Sequence, residues 1–210
     1  DYTFGFQTAV SIACEALDRL RTTAESHHRV LILEVMGRNA GWIALESGIA
    51  GGANAILIPE KPFDIEEVCE FIRKRHTRGR NFSLIVAAEG AKPRGCEDIV
   101  YTSGIDEFGH ARLGGIGEYI GKEIEKRFEK IETRTVVLGH LQRGGPPIAF
   151  DRVLATRFGI AAIDLVHEGR FGMMVGLQGN AMVPVPLKEV IGKRKTVDLK
   201  FYDIAATFFG

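Results

Sequence analysis

Cysteine, tryptophan and proline are scarce in this chain of 210 residues, which has three, one and seven of them. The cysteines, Cys14, Cys69 and Cys96, lie far apart and show neither the spacing of metal ligands nor that of a redox pair. Their scarcity argues against a disulfide framework, so we expect a reducing, cytoplasmic setting. Cys14 falls on the apolar face of a predicted helix, where we expect it to be part of the core.

An excess of either charge is also lacking, since acidic and basic residues number 27 each. A balanced charge argues against a nucleic-acid or anionic membrane partner, so any anion site has to come from a local cluster. The sequence shows no apolar run of membrane-spanning length and no signal-peptide pattern. It opens at Asp1 without methionine and soon enters a helical pattern, which is typical of an excised fragment.

The spacing of apolar residues predicts strands and helices in alternation. Helices are predicted over about 7–25, 39–49, 64–76, 113–128 and 149–167, and strands over about 30–35, 55–58, 82–88, 133–138 and 174–177. Residues 90–111 are rich in glycine and charge and have no clear period, which predicts a long surface excursion. This alternation favours an α/β fold with a doubly wound, mostly parallel sheet.

Polar side chains follow three of the predicted strands, where ligands bind in such a sheet. Met36, Gly37 and Arg38 follow the first strand, and Glu89 follows the strand that ends at Ala88. The turn 139–147, with its adjacent glycines, supplies His140 and Arg143. Arginines bind phosphate bidentately and a carboxylate accepts hydrogen bonds from sugar hydroxyls, so the set suits a phosphorylated polyol.

Each of these residues also has a plainer interpretation. Arg38 could pair with a nearby acid, Glu89 could be solvated, and His140 could bond to a main-chain carbonyl. The turn itself could be an ordinary strand-to-helix connection. The sequence has no Walker or dinucleotide fingerprint and no nucleophile elbow, which argues against those sites.

Five segments, in this order along the chain, resemble the 6-phosphofructokinase family. They are residues 1–6 (DYTFGF), 34–38 (EVMGR), 50–52 (AGG), 86–90 (VAAEG) and 139–145 (GHLQRGG). The resemblance covers essentially the whole chain. The chain is similar to the longer bacterial form of the family, whose members use ATP or pyrophosphate. The resemblance implies a phosphofructokinase-like fold that lacks its N-terminal donor-binding part, including the aspartate general base and the glycine-rich donor segments.

The resemblance also implies a division of the chain into domains. Residues 1–141 would bind fructose 6-phosphate, residues 142–194 would form the C-terminal part of the donor-binding domain, and residues 195–210 would return to the sugar-binding domain. The activity implied is a glycolytic phosphoryl transfer from ATP or pyrophosphate to the 1-hydroxyl of fructose 6-phosphate. Mg²⁺ would accompany the donor in the full-length protein, whereas this chain alone is expected to hold neither metal nor donor and to be inactive.

By the same resemblance, Met36, Gly37 and Arg38 would bind the sugar, and Arg38 would also stabilise charge in the transition state. Glu89 would bond the sugar hydroxyls, and His140 and Arg143 would bind the 6-phosphate. Two further arginines, Arg29 and Arg134, would reach the 6-phosphate of a neighbouring subunit, which implies a dimer or tetramer.

An effector pocket is the last expectation that comes from the resemblance. Arg21, Arg78 and Arg80 match its basic residues, but Asn54 stands where the family has an acid. Nucleotide control is therefore in doubt. The alternative function is a non-catalytic module that binds a sugar phosphate or regulates another protein, and the sequence leaves this alternative open.

Overall fold

The computed structural model describes residues 1–96, 115–207 and 209. Contacts divide the chain into a larger unit, residues 10–142 and 196–210, and a smaller unit, residues 1–9 and 143–195. Most of the surface excursion predicted for residues 90–111 lies outside the described residues.

Helices and strands alternate along most of the chain. The strands are β1 (Val30–Val35), β2 (Ala55–Leu57), β3 (Ser83–Ala88), β4 (Thr133–Val137), β5 (Met173–Gln178) and β6 (Ala181–Pro186). The helices are α1 (Phe6–His27), α2 (Trp42–Ala50), α3 (Ile65–Thr77), α4 (Ile116–Glu125), α5 (Ala149–His167), α6 (Leu187–Val190) and α7 (Leu199–Ala206).

The larger unit is built on a parallel sheet of four strands in the order β2-β3-β1-β4. Helices cover both of its faces, because successive residues of a strand point to opposite sides. Leu33 and Val35 of β1 pack in a core cluster with residues of α1, α2 and α7. Val30 and Ile32 pack in a second cluster with residues of α3 and α4. The doubly wound, mostly parallel α/β fold is confirmed.

The smaller unit contains α5, α6 and the antiparallel hairpin of β5 and β6. Two buried hydrogen bonds anchor its first residues: the main-chain N–H and the hydroxyl of Thr8 both donate to Asp151 Oδ2, at 2.7 and 2.5 Å. Thr8 Oγ1 in turn accepts a bond from the N–H of Ile148, the residue before α5. In the described part of the chain, no helix is both long and apolar enough to cross a membrane.

Several local predictions were wrong. The second helix begins at Trp42 rather than near Asn39, because the chain first turns at Gly37 and Gly41 stands at the helix N-cap position. The pattern gave no sign of β6, whose prolines Pro184 and Pro186 nevertheless pair with β5 in register. Cys14 is only half-buried, so its assignment to the core was also wrong, and its thiol lies 3.8 Å from the carbonyl oxygen of Ser47.

Candidate functional site

The order of the strands brings three of the predicted segments to one edge of the sheet. Val35 at the end of β1 pairs with Ala88 at the end of β3, and the neighbouring Glu34 pairs with Val137 at the end of β4. Parallel strands end at a common edge, so the residues that follow them, Met36–Arg38, Glu89 and His140, emerge side by side. Arg143 ends the 3-10 helix Gly139–Arg143 and is the first residue of the second segment of the smaller unit.

The segment that leaves β1 is held in place from both neighbouring strands. The main-chain N–H of Met36 donates to Gln142 Oε1 at 2.7 Å, and the N–H of Gly37 donates to Glu89 Oε1 at a longer 3.4 Å. The N–H of Gly90 donates to the carbonyl of Gly37 at 3.2 Å. These bonds fix the main chain just before Arg38 relative to the turn after β3 and the 3-10 helix after β4.

Gly90 allows the closest main-chain approach in this edge. A Cβ atom at Gly90 would lie 1.9 Å from the carbonyl oxygen of Arg38 and 2.7 Å from its carbonyl carbon. Both obstacles are main-chain atoms, which cannot rotate away as a side chain can. Glycine is therefore required next to Glu89, and the close contact sets how near Glu89 stands to Arg38.

Glu34 is a buried carboxylate that sequence reasoning missed. It is 1% exposed, and it accepts hydrogen bonds from the N–H groups of Gly115 at 3.2 Å and Gly117 at 2.9 Å, at the start of α4. Burial raises its pKa above the usual carboxyl value, although the two hydrogen bonds oppose the shift. A glutamate inside the apolar strand β1 was the available signal, because such a residue needs a buried donor.

The side chains at this edge differ in exposure. Arg38 and Glu89 are half-buried, whereas His140 is exposed. Arg143, which belongs to the smaller unit, is also exposed. A carboxylate has about four lone-pair sites, so Glu89 can accept further hydrogen bonds besides the long one from Gly37. The edge thus presents a guanidinium, a carboxylate and an imidazole, groups that bind the phosphate and hydroxyls of a sugar phosphate.

Arg29 and Arg134 lie at the opposite end of the sheet. Both pair with Glu132: Arg29 through its Nε, and Arg134 through a guanidinium nitrogen at 2.9 Å. The hydrogen bond from Arg29, followed by the charge of Arg134, lowers the pKa of the Glu132 carboxyl. The structure therefore brings these two arginines together, but not with Arg38 or Glu89 of the same chain.

Arg21 lines a cavity of about 380 Å³ in the larger unit, together with Asn54. Its guanidinium donates to the carbonyls of Gly51 at 2.7 Å and Gly52 at 3.0 Å. The amide oxygen of Asn54 accepts the N–H of Leu84 at 2.9 Å. The other two residues of the predicted effector pocket, Arg78 and Arg80, follow α3. The effector role of all three arginines stays a prediction.

Mg²⁺ at phosphoryl-transfer sites is bound by one or two carboxylates together with substrate phosphates and several waters. Within residues 1–96, 115–207 and 209, no group of three or more histidine, cysteine, aspartate or glutamate side chains could hold a metal ion. The assignment of Mg²⁺ to the remainder of a full-length protein stays a prediction.

Comparison with known proteins decides the family. The phosphofructokinase family model matches residues 1–166. The chain belongs to the phosphofructokinase family. This confirms the resemblance carried by the five sequence segments.

Bacterial relatives with two different names are similar to this chain over its whole length. One is a pyrophosphate–fructose 6-phosphate 1-phosphotransferase of Streptomyces coelicolor, 57% identical over 210 residues. Another is an ATP-dependent 6-phosphofructokinase of Mycobacterium leprae, 53% identical over 210 residues. All of this chain but only 61% of each relative is covered. The chain therefore spans less than two thirds of the length of these relatives.

Solved structures show the same fold. The phosphofructokinase of Saccharomyces cerevisiae superposes with a TM-score of 0.75 at 32% sequence identity. That match covers 99% of this chain and 25% of the yeast chain. A pyrophosphate-dependent phosphofructokinase from Marinobacter aquaeolei gives a TM-score of 0.73 at 24% identity, which shows the fold alone.

Proposed function

We propose that this chain carries the acceptor half of a 6-phosphofructokinase site. The reaction is transfer of a phosphoryl group from ATP or pyrophosphate to the 1-hydroxyl of fructose 6-phosphate. The observation that supports it is the shared edge of β3, β1 and β4, where Glu89, Met36–Arg38 and His140 emerge together. In this proposal the larger unit binds the sugar phosphate, and residues 142–194 form the C-terminal part of the donor-binding domain.

The residues of this edge have separate roles in the proposal. Arg38 neutralises negative charge that develops on the transferred group, because phosphoryl transfer depends mainly on positioning and charge stabilisation. Glu89 accepts hydrogen bonds from the sugar hydroxyls. His140 and Arg143 bind the 6-phosphate, with Arg143 supplying a bidentate contact. The main chain at Met36 and Gly37 forms the wall against which the sugar packs.

Arg29 and Arg134 serve a neighbouring subunit in this proposal. Their position at the far end of the sheet suits contact with a second copy better than contact with the chain's own site, and the Arg134 side chain is 54% exposed, although Arg29 is half-buried. Each would reach the 6-phosphate held by the neighbour. The proposed assembly is a dimer or a tetramer.

The donor and its Mg²⁺ belong to the remainder of a full-length protein in this proposal. The relatives named above use different donors, pyrophosphate in one and ATP in the other, so both remain in the proposal. The 210-residue chain alone is expected to bind fructose 6-phosphate weakly and to show no kinase activity. The cytoplasmic, glycolytic role likewise stays a prediction.

Isothermal titration of fructose 6-phosphate into the chain tests this function. We expect saturable binding that Arg38→Ala weakens by ~10-fold or more, the effect of losing a hydrogen-bonded charge. Arg19→Ala is the matched control, because the Arg19 side chain is 78% exposed and pairs with Glu15 one turn away on α1. No binding by the unsubstituted chain, or equal weakening by both variants, would contradict the proposal. Binding without kinase activity after the chain is joined to the rest of a relative would favour the regulatory module.

A further inference from the structure

Gln142 is a buried amide between the two segments that carry Arg38 and His140. It is 5% exposed and belongs to the 3-10 helix Gly139–Arg143 that follows β4. Its Oε1 accepts a 2.7 Å hydrogen bond from the main-chain N–H of Met36. One buried side chain thus joins the segment that leaves β1 to the turn that leaves β4.

The N–H of Met36 needs this acceptor because the main-chain ladder stops one residue earlier. Glu34 pairs with Val137, and the N–H of Leu138 donates to the carbonyl of Glu34 at 3.0 Å. In a continuing parallel ladder the N–H of Met36 would then donate to the carbonyl of Leu138. That carbonyl instead accepts the N–H of Leu141 at 3.0 Å, in the first turn of the 3-10 helix. Gln142 Oε1 replaces the lost ladder partner.

Glu89 holds the other side of the same segment in the same manner. The N–H of Glu89 continues the ladder to the carbonyl of Val35 at 2.9 Å, and Glu89 Oε1 accepts the N–H of Gly37. Two consecutive N–H groups, those of Met36 and Gly37, are therefore fixed by side chains from the two neighbouring strand ends. Arg38 is the next residue, so these two hydrogen bonds also restrict the position of its main chain.

We propose that Gln142 is a positioning residue of the sugar-phosphate site. It sets the position of Met36 and hence of Arg38 relative to His140, and it does so without touching the substrate. The inference rests on the proposed function, because it assumes that these segments bind one ligand. Positioning of this kind is sensitive, since a misplacement of about 1 Å can cost ~100-fold in a catalytic rate.

Two variants and a matched control test this role in the 210-residue chain. Gln142→Met keeps the length of the side chain but removes the acceptor, whereas Gln142→Glu keeps an acceptor oxygen. Tyr202→Phe is the control, because the buried Tyr202 hydroxyl donates to the carbonyl of Ile56 at 2.9 Å in the same unit. The measurements are affinity for fructose 6-phosphate by calorimetry, Tm, and hydrogen exchange of the Met36 amide.

We expect Gln142→Met and Tyr202→Phe both to lower the Tm, because each removes a hydrogen bond of a buried side chain. Only Gln142→Met should weaken fructose 6-phosphate binding, by ~10-fold, which corresponds to about 1.4 kcal/mol. The Met36 amide should exchange faster in Gln142→Met and remain protected in Gln142→Glu.

Two results would overturn the role of Gln142. One is unchanged affinity in Gln142→Met while the unsubstituted chain binds normally. The other is fast exchange of the Met36 amide in Gln142→Glu, which can be read even where Gln142→Met does not fold. A different failure, no binding by the unsubstituted chain, would overturn the proposed function itself.

Discussion

Replacing Gly90 with alanine tests how the sheet edge positions Arg38. The new Cβ would lie 1.9 Å from the carbonyl oxygen of Arg38, about 1.5 Å inside the 3.4 Å of ordinary van der Waals contact. It would also lie 3.0 Å from the carbonyl oxygen of Gly37. Neither obstacle is a flexible side chain, so the Arg38 segment has to move away from Glu89 by more than about 1 Å.

The size of the effect follows from this displacement. Overpacking a buried position costs about 1–3 kcal/mol, so the free energy of unfolding should fall by that amount in Gly90→Ala. Affinity for fructose 6-phosphate should fall by ~10- to 100-fold, which is more than the loss of stability explains. The reason is that the Arg38 guanidinium and the Glu89 carboxylate can no longer contact the same ligand molecule.

Urea unfolding and calorimetric titration measure the two effects separately. Gly159→Ala is the control: its Cβ would meet nothing within 4 Å, and it lies inside α5. Alanine is favoured over glycine in a helix by roughly 0.5–1 kcal/mol, so this variant should be more stable and should bind the ligand normally. Wild-type stability and affinity in Gly90→Ala would show that the close approach at Gly90 does not position Arg38.

Three further predictions concern stability and are measured by urea unfolding. Because burial raises the pKa of Glu34, the folded chain holds that proton more tightly; the resulting stability is complete below about pH 4.5 and is lost as the pH rises through the folded pKa. Glu34→Gln should therefore gain stability relative to the wild type as the pH rises from there, and parallel pH curves would contradict this. Thr8→Val should cost about 1–3 kcal/mol, because it removes a buried donor to Asp151 and the acceptor of the partly buried N–H of Ile148, whereas Thr8→Ser should cost less. Asp64→Ala should cost about 0.5–2 kcal/mol, since Asp64 caps α3, and an unchanged midpoint would show that the cap is unimportant.

The fold was largely predictable because its strands are local apolar runs. The run Val30–Val35 is apolar except at Glu34, so β1 could be bounded correctly, and the helix predicted from about residue 64 begins at Ile65. The hairpin partner β6 was not predictable in the same way. Its stability depends on cross-strand pairing with β5, which a single strand's composition does not reveal.

The candidate site was predictable as a set of strand ends but not as a geometry. The sequence placed Arg38, Glu89 and His140 after strands, whereas only the order β2-β3-β1-β4 shows that these strands are neighbours. Gln142 could not be singled out, because its partner is a main-chain N–H group 106 residues away in the chain. The place of Glu34 inside an apolar strand was a signal, but its partner N–H group of Gly117, 83 residues away, was not predictable. Such contacts depend on strand register, and register is a property of the folded sheet.

A crystal structure of the chain with bound fructose 6-phosphate would test whether the ligand binds at the shared edge of β3, β1 and β4. We expect the sugar at the carboxyl ends of β3, β1 and β4, with its hydroxyls against Glu89 and its phosphate beside His140. Binding in the cavity lined by Arg21 and Asn54 instead, with this edge of the sheet empty, would contradict it.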